Sequence, residues 1–257
     1  MTADNFIVGT SGYSFADWVG SVYPAGTKSS QMFGCYSRLF QAVELNFTFY
    51  ATPTQATMQR MVEGSGADFG FWVKANQQLT HAGDRSGTGA FLDALAPMRQ
   101  SNKLLGVLLQ FPQSFHRTVE SRKFLSEATE DFGDVPLAIE FRHRSWLHPS
   151  TAQGLRERHL TLVVPDVPDI PDLYATPALL TSRTGYLRLH SRDAQKWYTG
   201  KAQRYDYSYS EEELRELVTH WTTLQDQAER VYAMFNNCHR GQAGQNAQTL
   251  RRILGQI

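Results

Sequence analysis

The sequence predicts one fold class, an α/β barrel of the (β/α)8 TIM type. Eight short strand-like segments run along the chain, most of them followed by a helical one, and alternating β and α segments imply a parallel sheet. On several strands apolar residues alternate with charged ones at period two, as when one face meets outer helices and the other lines a polar mouth. The 257 residues match the roughly 250 typical of such barrels. No linker or low-complexity stretch divides residues 1–257, so they read as one domain. An open doubly wound sheet is the alternative, but Gly9-Thr10-Ser11-Gly12 lacks the GxGxxG phosphate fingerprint of its dinucleotide-binding version.

The elements follow in order. Phe6–Gly9 is a short apolar strand that breaks into the small-residue loop Thr10–Tyr13, ahead of Trp18, Tyr23 and Pro24. Ser29–Phe40 reads as a helix with Ser29 or Ser30 as N-cap. Ala42–Tyr50 is the second strand, with Val43, Leu45 and Phe47 on one face and Glu44, Asn46 and Thr48 on the other. Thr54 caps a helix over Thr54–Val62 that ends near Gly64. Phe69–Ala75 is the third strand and carries Lys74; the loop Asn76–Gly87 holds Thr80 and His81. Gly89–Gln100 is helical despite Pro97. Leu104–Phe111 is almost wholly apolar, as a strand covered on both faces should be, and Pro112 stops it. Ser121–Phe132 is an amphipathic helix.

The fifth strand opens PLAIEFRHRSW, where Leu137, Ile139 and Phe141 alternate with Ala138, Glu140 and Arg142. Thr151–Glu157 is a short helix and Leu160–Val164 the sixth strand, followed by Pro165 and Asp166. Four prolines within Pro165–Pro177 imply an irregular connection. Gly185–His190 is the seventh strand, with Tyr186, Arg188 and His190 on its polar face. Ser191–Ser210 is a loop rich in aromatic and basic residues: Trp197, Tyr198, Tyr205, Tyr207 and Tyr209 beside Arg192, Lys196, Lys201 and Arg204. Ser210-Glu211-Glu212-Glu213 starts a helix with a capping box, running to about Glu229. Val231–Asn236 is the eighth strand, and a helix from Asn246 or Ala247 to Leu254 closes the chain.

Composition narrows the function. Hydrophobic content of 41% and charged content of 19% suit a globular protein. Lys+Arg of 25 balances Asp+Glu of 25, which argues against sequence-blind nucleic-acid binding. Two cysteines, Cys35 and Cys238, form no CxxC motif, consistent with reducing cytosol. The N-terminus has no signal-peptide pattern and no apolar run approaches membrane-spanning length. A cytoplasmic location without membrane attachment is the expectation; oligomeric state is not legible.

An ordered series of motifs then stands out: GTSGY with Trp18 downstream, VELNFTFY, FWVKA with a later TH, LLQFP, IEFRHRSW, YLRLHS, YDYSYSEEEL and FNNCHRGQAGQNA. Nearly the whole chain resembles the YecE-like family, the domain-of-unknown-function family numbered seventy-two. That resemblance implies a TIM-type barrel and leaves the activity open. Members usually carry Gly after the seventh-strand His; Ser191 stands here.

Active sites of such barrels lie at the C-terminal strand ends. The residues expected there are Thr10, Ser11, Tyr13, Glu44, Asn46, Lys74, His81, Gln110, Glu140, Arg142, Asp166, Arg188, His190, Asn236 and Asn237, with Trp197 and Tyr205 from the seventh loop. Alternation aims Glu44, Lys74, Glu140, Arg142, Arg188 and His190 at the barrel axis. Buried charges there need partners or water, so a network is expected. One account makes Glu44, Glu140 and Arg188 a structural salt-bridge cluster and His190 a hydrogen-bonded core residue. The other makes the mouth a site.

As a site, it reads as a metal-independent isomerase, lyase or hydrolase acting on a small phosphorylated or carboxylated metabolite. Glu140 or Glu44 is the expected base and His190 the partner acid. Lys74, Arg142 and Arg188 hold the anion, and a Schiff base on Lys74 requires a depressed pKa. No cofactor is expected. A metal site using Glu44, Glu140, Asp166 and His190 is the alternative seen in isomerase- or nuclease-like barrels, but the neighbouring cations oppose it, and Cys238-His239 is a weaker hint. A nucleotide or single-stranded nucleic-acid binder using the basic aromatic loop, or a ligand-binding barrel without catalysis, are the other classes.

Overall fold

The structure, a computed structural model, describes residues 5–200, 203–224 and 227–257. Eight parallel strands close in sequence order: β1 (Phe6–Ser11), β2 (Ala42–Leu45), β3 (Gly70–Lys74), β4 (Leu104–Gln110), β5 (Leu137–Glu140), β6 (Thr161–Asp166), β7 (Thr184–Leu189) and β8 (Arg230–Phe235). Pairing of β1 with β8, from Phe6 beside Val231 to Thr10 beside Phe235, completes the ring. The helices outside are α1 (Ser29–Leu39), α2 (Gln55–Glu63), α3 (Gln77–Thr80), α4 (Thr88–Ala94), α5 (Ala96–Gln100), α6 (Val119–Glu130), α7 (Pro149–Glu157), α8 (Glu211–Thr222) and α9 (Gln242–Ile253).

Period two sorts the core into two compartments. Outward residues such as Val43, Phe71, Val107, Ile139 and Val231 pack beneath the helices. Inward residues Ala42, Trp72, Leu108, Ala138, Val163, Tyr186, Tyr232 and Met234 fill the barrel. Trp72 stacks on Tyr186 with centroids 4.7 Å apart. That bulk is accommodated by Gly106, where an added Cβ would strike the Trp72 ring and lie 2.6 Å from the Pro136 carbonyl oxygen. The pairing register of β3 with β4 shifts at this point. The floor of the mouth is therefore a packed plug built around two stacked aromatic rings.

Several boundaries move from the sequence expectation. The second strand ends at Leu45, and Phe47–Phe49 forms a 3₁₀ turn. The Thr48 hydroxyl bonds the carbonyls of Leu45 and Lys74 at 3.1 and 2.6 Å, a side-chain-to-backbone contact that competes with the strand ladder. The helix expected over 89–100 divides into α4 and α5 around Leu95, with Pro97 admitted in the first turn of the second. Part of the 76–87 loop is the single turn α3. Lys28, not Ser29 or Ser30, occupies the N-cap of α1, its amide donating to Gln31 Oε1 at 2.9 Å. The capping box of Ser210 and Glu213 is present, but α8 ends at Thr222, short of Glu229; residues 225–226 of that expected helix lie outside the described residues. The final helix begins at Gln242, four residues early. The proline-rich connection between β6 and β7 is irregular as expected.

Candidate functional site

One pleat step above the plug, six of the strands change chemistry. Ser11 follows Gly9, Glu44 follows Ala42, Lys74 follows Trp72, Gln110 follows Leu108, Glu140 follows Ala138 and Arg188 follows Tyr186. Arg188 is the hub. Its Nε and Nη2 donate to the two carboxylate oxygens of Glu44 at 2.8 and 2.6 Å. Its Nη1 donates to Glu140 Oε2, and Tyr186 donates its hydroxyl to Glu44 at 2.7 Å. All four side chains are buried. Burial alone would raise both glutamate pKa values. For Glu44 the Arg188 guanidinium outweighs it, and for Glu140 Arg142 and Arg188 do, holding Glu140 well below the ordinary carboxylate range.

The second oxygen of Glu140 is less well served. Arg142 Nε lies 2.7 Å away as an ion pair, yet the N–H points aside and Oε1 receives no hydrogen bond. His190 Nε2 is 3.4 Å from the same oxygen and 3.4 Å from Arg142 Nη2. The other ring nitrogen of His190 meets Asn236 Nδ2 at 2.9 Å. Burial and then the Arg142 charge push the His190 pKa down to about 3, so its imidazole is neutral at physiological pH.

Lys74 is the exceptional cation. Its Nζ donates to Gln110 Oε1 at 2.8 Å and lies 4.1 Å from the Phe49 ring centroid. Gln110 donates its own amide N–H to the Phe111 carbonyl at 2.7 Å, which fixes its oxygen toward the lysine. Among the described residues no carboxylate forms an ion pair with Lys74. Burial, followed by the charge of Arg188, lowers the Lys74 pKa to about 7. Burial and the Lys74 and Arg142 charges likewise lower His81 to about 4.

A cleft of about 570 Å³ opens over this ring, within the size range of small-molecule sites. Lys74, Arg142, Arg188 and Arg204 line it, with no carboxylate among the described lining residues. Aromatic walls come from Tyr13, Phe15, Phe49 and Tyr205. Trp197 is buried and roofs it, with Arg142 5.9 Å and Arg204 4.7 Å from its ring and His190 edge-on beneath. Arg142 Nη1 and Asn46 Oδ1 are buried without hydrogen-bond partners.

Of the residues expected at the mouth, Ser11, Tyr13, Asn46, Lys74, His81, Gln110, Arg142, Arg188, Trp197, Tyr205 and Asn236 line the cleft. Glu44, Glu140 and His190 sit directly behind it. Thr10, Asp166 and Asn237 are not brought there. Thr10 faces outward, its amide bonded to the Tyr36 hydroxyl at 2.9 Å. Asp166 pairs with Arg192 at 3.0 Å, and Asn237 ties Tyr207 to Asn246. The loop cations Arg192 and Lys196 are engaged by Asp166 and Glu216 and by Asp206; Lys201 lies outside the described residues. Among the described residues no three of His, Cys, Asp and Glu cluster as a metal site. Arg204, expected among the basic residues of the seventh loop, is the one of those cations that lines the cleft among the described residues. The lining residues not anticipated include Phe15, from a loop where no period applies, and Phe49, from the 3₁₀ turn that replaces the end of the expected second strand.

A family model described as "Protein of unknown function DUF72" matches residues 7–257. The chain is 31% identical over 270 residues to the UPF0759 protein YunF of Bacillus subtilis (strain 168), spanning 96% of this chain and 94% of the relative. A solved structure of a DUF72 family protein from Thermotoga maritima superposes with a TM-score of 0.90 at 35% identity, covering 97% of this chain and 99% of that one. One from Enterococcus faecalis gives 0.85 at 26% identity, covering 97% and 95%. No helix among the described residues is long and apolar enough to cross a membrane.

Proposed function

The chain belongs to DUF72, a family of proteins of unknown function, and from that premise we propose that it is a cytoplasmic enzyme acting without a metal on a small phosphorylated or carboxylated metabolite. The carrying observation is the charge of the cleft. Every charged lining residue described is a cation, and the two carboxylates behind them are already committed to Arg188 and Arg142. Arg142 keeps a buried N–H without a partner, and an anion's oxygen supplies one.

The acid/base roles fall differently from the sequence expectation. Glu44 and Glu140 are held ionised by guanidinium groups, which makes them weak bases, and His190 is buried and neutral. They set the field and the geometry. Lys74, near neutrality within the cleft, is the group suited to exchange a proton at pH 7. Isomerisation, lyase or hydrolytic chemistry all fit a lysine base beside two guanidinium groups that stabilise developing negative charge.

Ligand binding to the folded state alone raises stability, by about 2.7 kcal/mol at a hundred times Kd. Phosphate is expected to raise Tm more than chloride at equal ionic strength, and Arg142→Ala to abolish that difference. Equal shifts from both salts would favour the purely structural salt-bridge cluster. One observation supports a nucleotide or single-stranded nucleic acid instead: Tyr50 is 73% and Tyr198 57% exposed beside the cleft, offering stacking faces. Salt-dependent binding of a labelled oligothymidylate, lost in Tyr50→Ala, would support that alternative.

A further inference from the structure

We propose that Lys74 is a nucleophile that forms an imine with carbonyl compounds carrying a carboxylate or phosphate. The inference rests on the anion-binding reading of the cleft and deepens it by naming the substrate class.

Four features of the structure converge on this lysine. Nζ stands at the C-terminal end of β3, among the cleft-lining atoms, where a bound ligand can reach it. Its hydrogen-bond partner is a neutral amide oxygen, so no carboxylate pins it as an ammonium. A structural lysine in a barrel mouth would be expected to pair with Glu44 or Glu140, and here Arg188 and Arg142 have taken both. The Phe49 ring walls one side of Nζ and restricts water. Desolvation beside other cations is the environment that leaves an amine free to attack. The lowered pKa agrees with that geometry.

The step balances without a further reagent. The Nζ lone pair attacks the carbonyl carbon, a C–N bond forms, and the carbonyl π electrons move to oxygen. The two protons lost from Nζ leave on that oxygen as water, giving the imine; a proton regained on nitrogen gives the iminium. Nothing is oxidised or reduced. Arg142, with its unpartnered Nη1, is the group placed to hold the ligand's anion. The iminium then replaces the lysine's charge in the same network, so Glu44 and Glu140 need not change protonation.

The test is reductive trapping. The protein is incubated with sodium cyanoborohydride and pyruvate, dihydroxyacetone phosphate or acetone at equal concentration, and followed by intact mass and peptide mapping. The expected result is a single adduct on Lys74 with pyruvate or dihydroxyacetone phosphate. For pyruvate the mass gain equals pyruvate less one oxygen atom. The two anionic probes separate carboxylate from phosphate recognition. Acetone should label at least tenfold less, and Arg142→Ala should narrow that ratio. Lys74→Met and Lys74→Arg should give no adduct at this peptide, with folding checked by Tm. No Lys74 adduct with either anionic probe, or equal labelling of surface lysines in wild type and Lys74→Met, would overturn the proposal. Phosphate protection that persists while trapping fails overturns the imine alone. Loss of phosphate protection in the wild type overturns the anion-binding reading itself.

Discussion

At the scale of the residue, Arg188 decides the energetics. Its guanidinium is almost fully buried between two buried carboxylates, and removing one partner of such a cluster costs about 3–5 kcal/mol because the others are left unpaired. Arg188→Met should lower the unfolding free energy by about that much in urea titration. Glu44→Gln added to it should recover part of the loss, since a neutral amide no longer needs the cation. His190 gives a pH test with a definite sign. Its folded pKa of about 3 lies below the ordinary 6.5, so the folded state binds fewer protons than the unfolded one, and stability falls as pH drops from about 6.5 toward 3. Glu140, also depressed, adds to that loss below the ordinary carboxylate pKa. His190→Gln should flatten the upper part of the acid limb in thermal unfolding at stepped pH. An unchanged limb would place the titration elsewhere.

At the scale of the element, alternation was legible and its limits instructive. Inward parity picks out Ser11, Glu44, Lys74, Gln110, Glu140, Arg188 and Asn236, and each reaches the mouth. Thr10, Asp166 and Asn237 are expected at the mouth only because they stand at strand ends. Parity rejects Thr10 and Asp166, because each neighbours an inward residue on its own strand and so faces the helices; Asn237, beyond the end of β8, follows the same step past Asn236 and bonds Tyr207 and Asn246. The second strand fails in the opposite way. Its alternation continues through Asn46–Phe49, yet the backbone turns, because the Thr48 hydroxyl satisfies two carbonyls that a longer ladder would have used otherwise. Such a turn leaves no trace in polarity, since Phe47 and Phe49 stay apolar to line the cleft. The seventh loop shows the same gap. Five aromatics are legible there, but not that Trp197 is turned inward between two arginines while Tyr198 faces water. Trp197→Ala should therefore speed amide exchange in residues 191–200 and weaken phosphate protection. Exchange in β7 and β8 should stay slow, because those strands pair with their neighbours and carry the interior plug residues Tyr186, Tyr232 and Met234. Fast exchange in the strands as well would mean that the loop holds the barrel and not just the cleft.

For the whole molecule, the closed barrel was legible because eight period-two or apolar segments leave few other topologies. The site was half legible. Which charges face the axis follows from parity, but which carboxylates are already spoken for depends on distances no sequence displays. That difference is what moves the proposed acid/base role from Glu44 and Glu140 to Lys74. A neutral chain of 25 basic and 25 acidic side chains thus carries a cleft whose charged lining, among the described residues, is wholly cationic. The most direct test is a crystal grown with selenate and examined by anomalous diffraction. A selenium peak is expected in the cleft, its oxygens within hydrogen-bond distance of Arg142 Nη1 and in reach of Lys74 Nζ. Peaks confined to surface arginines, with the cleft holding only water, would contradict it.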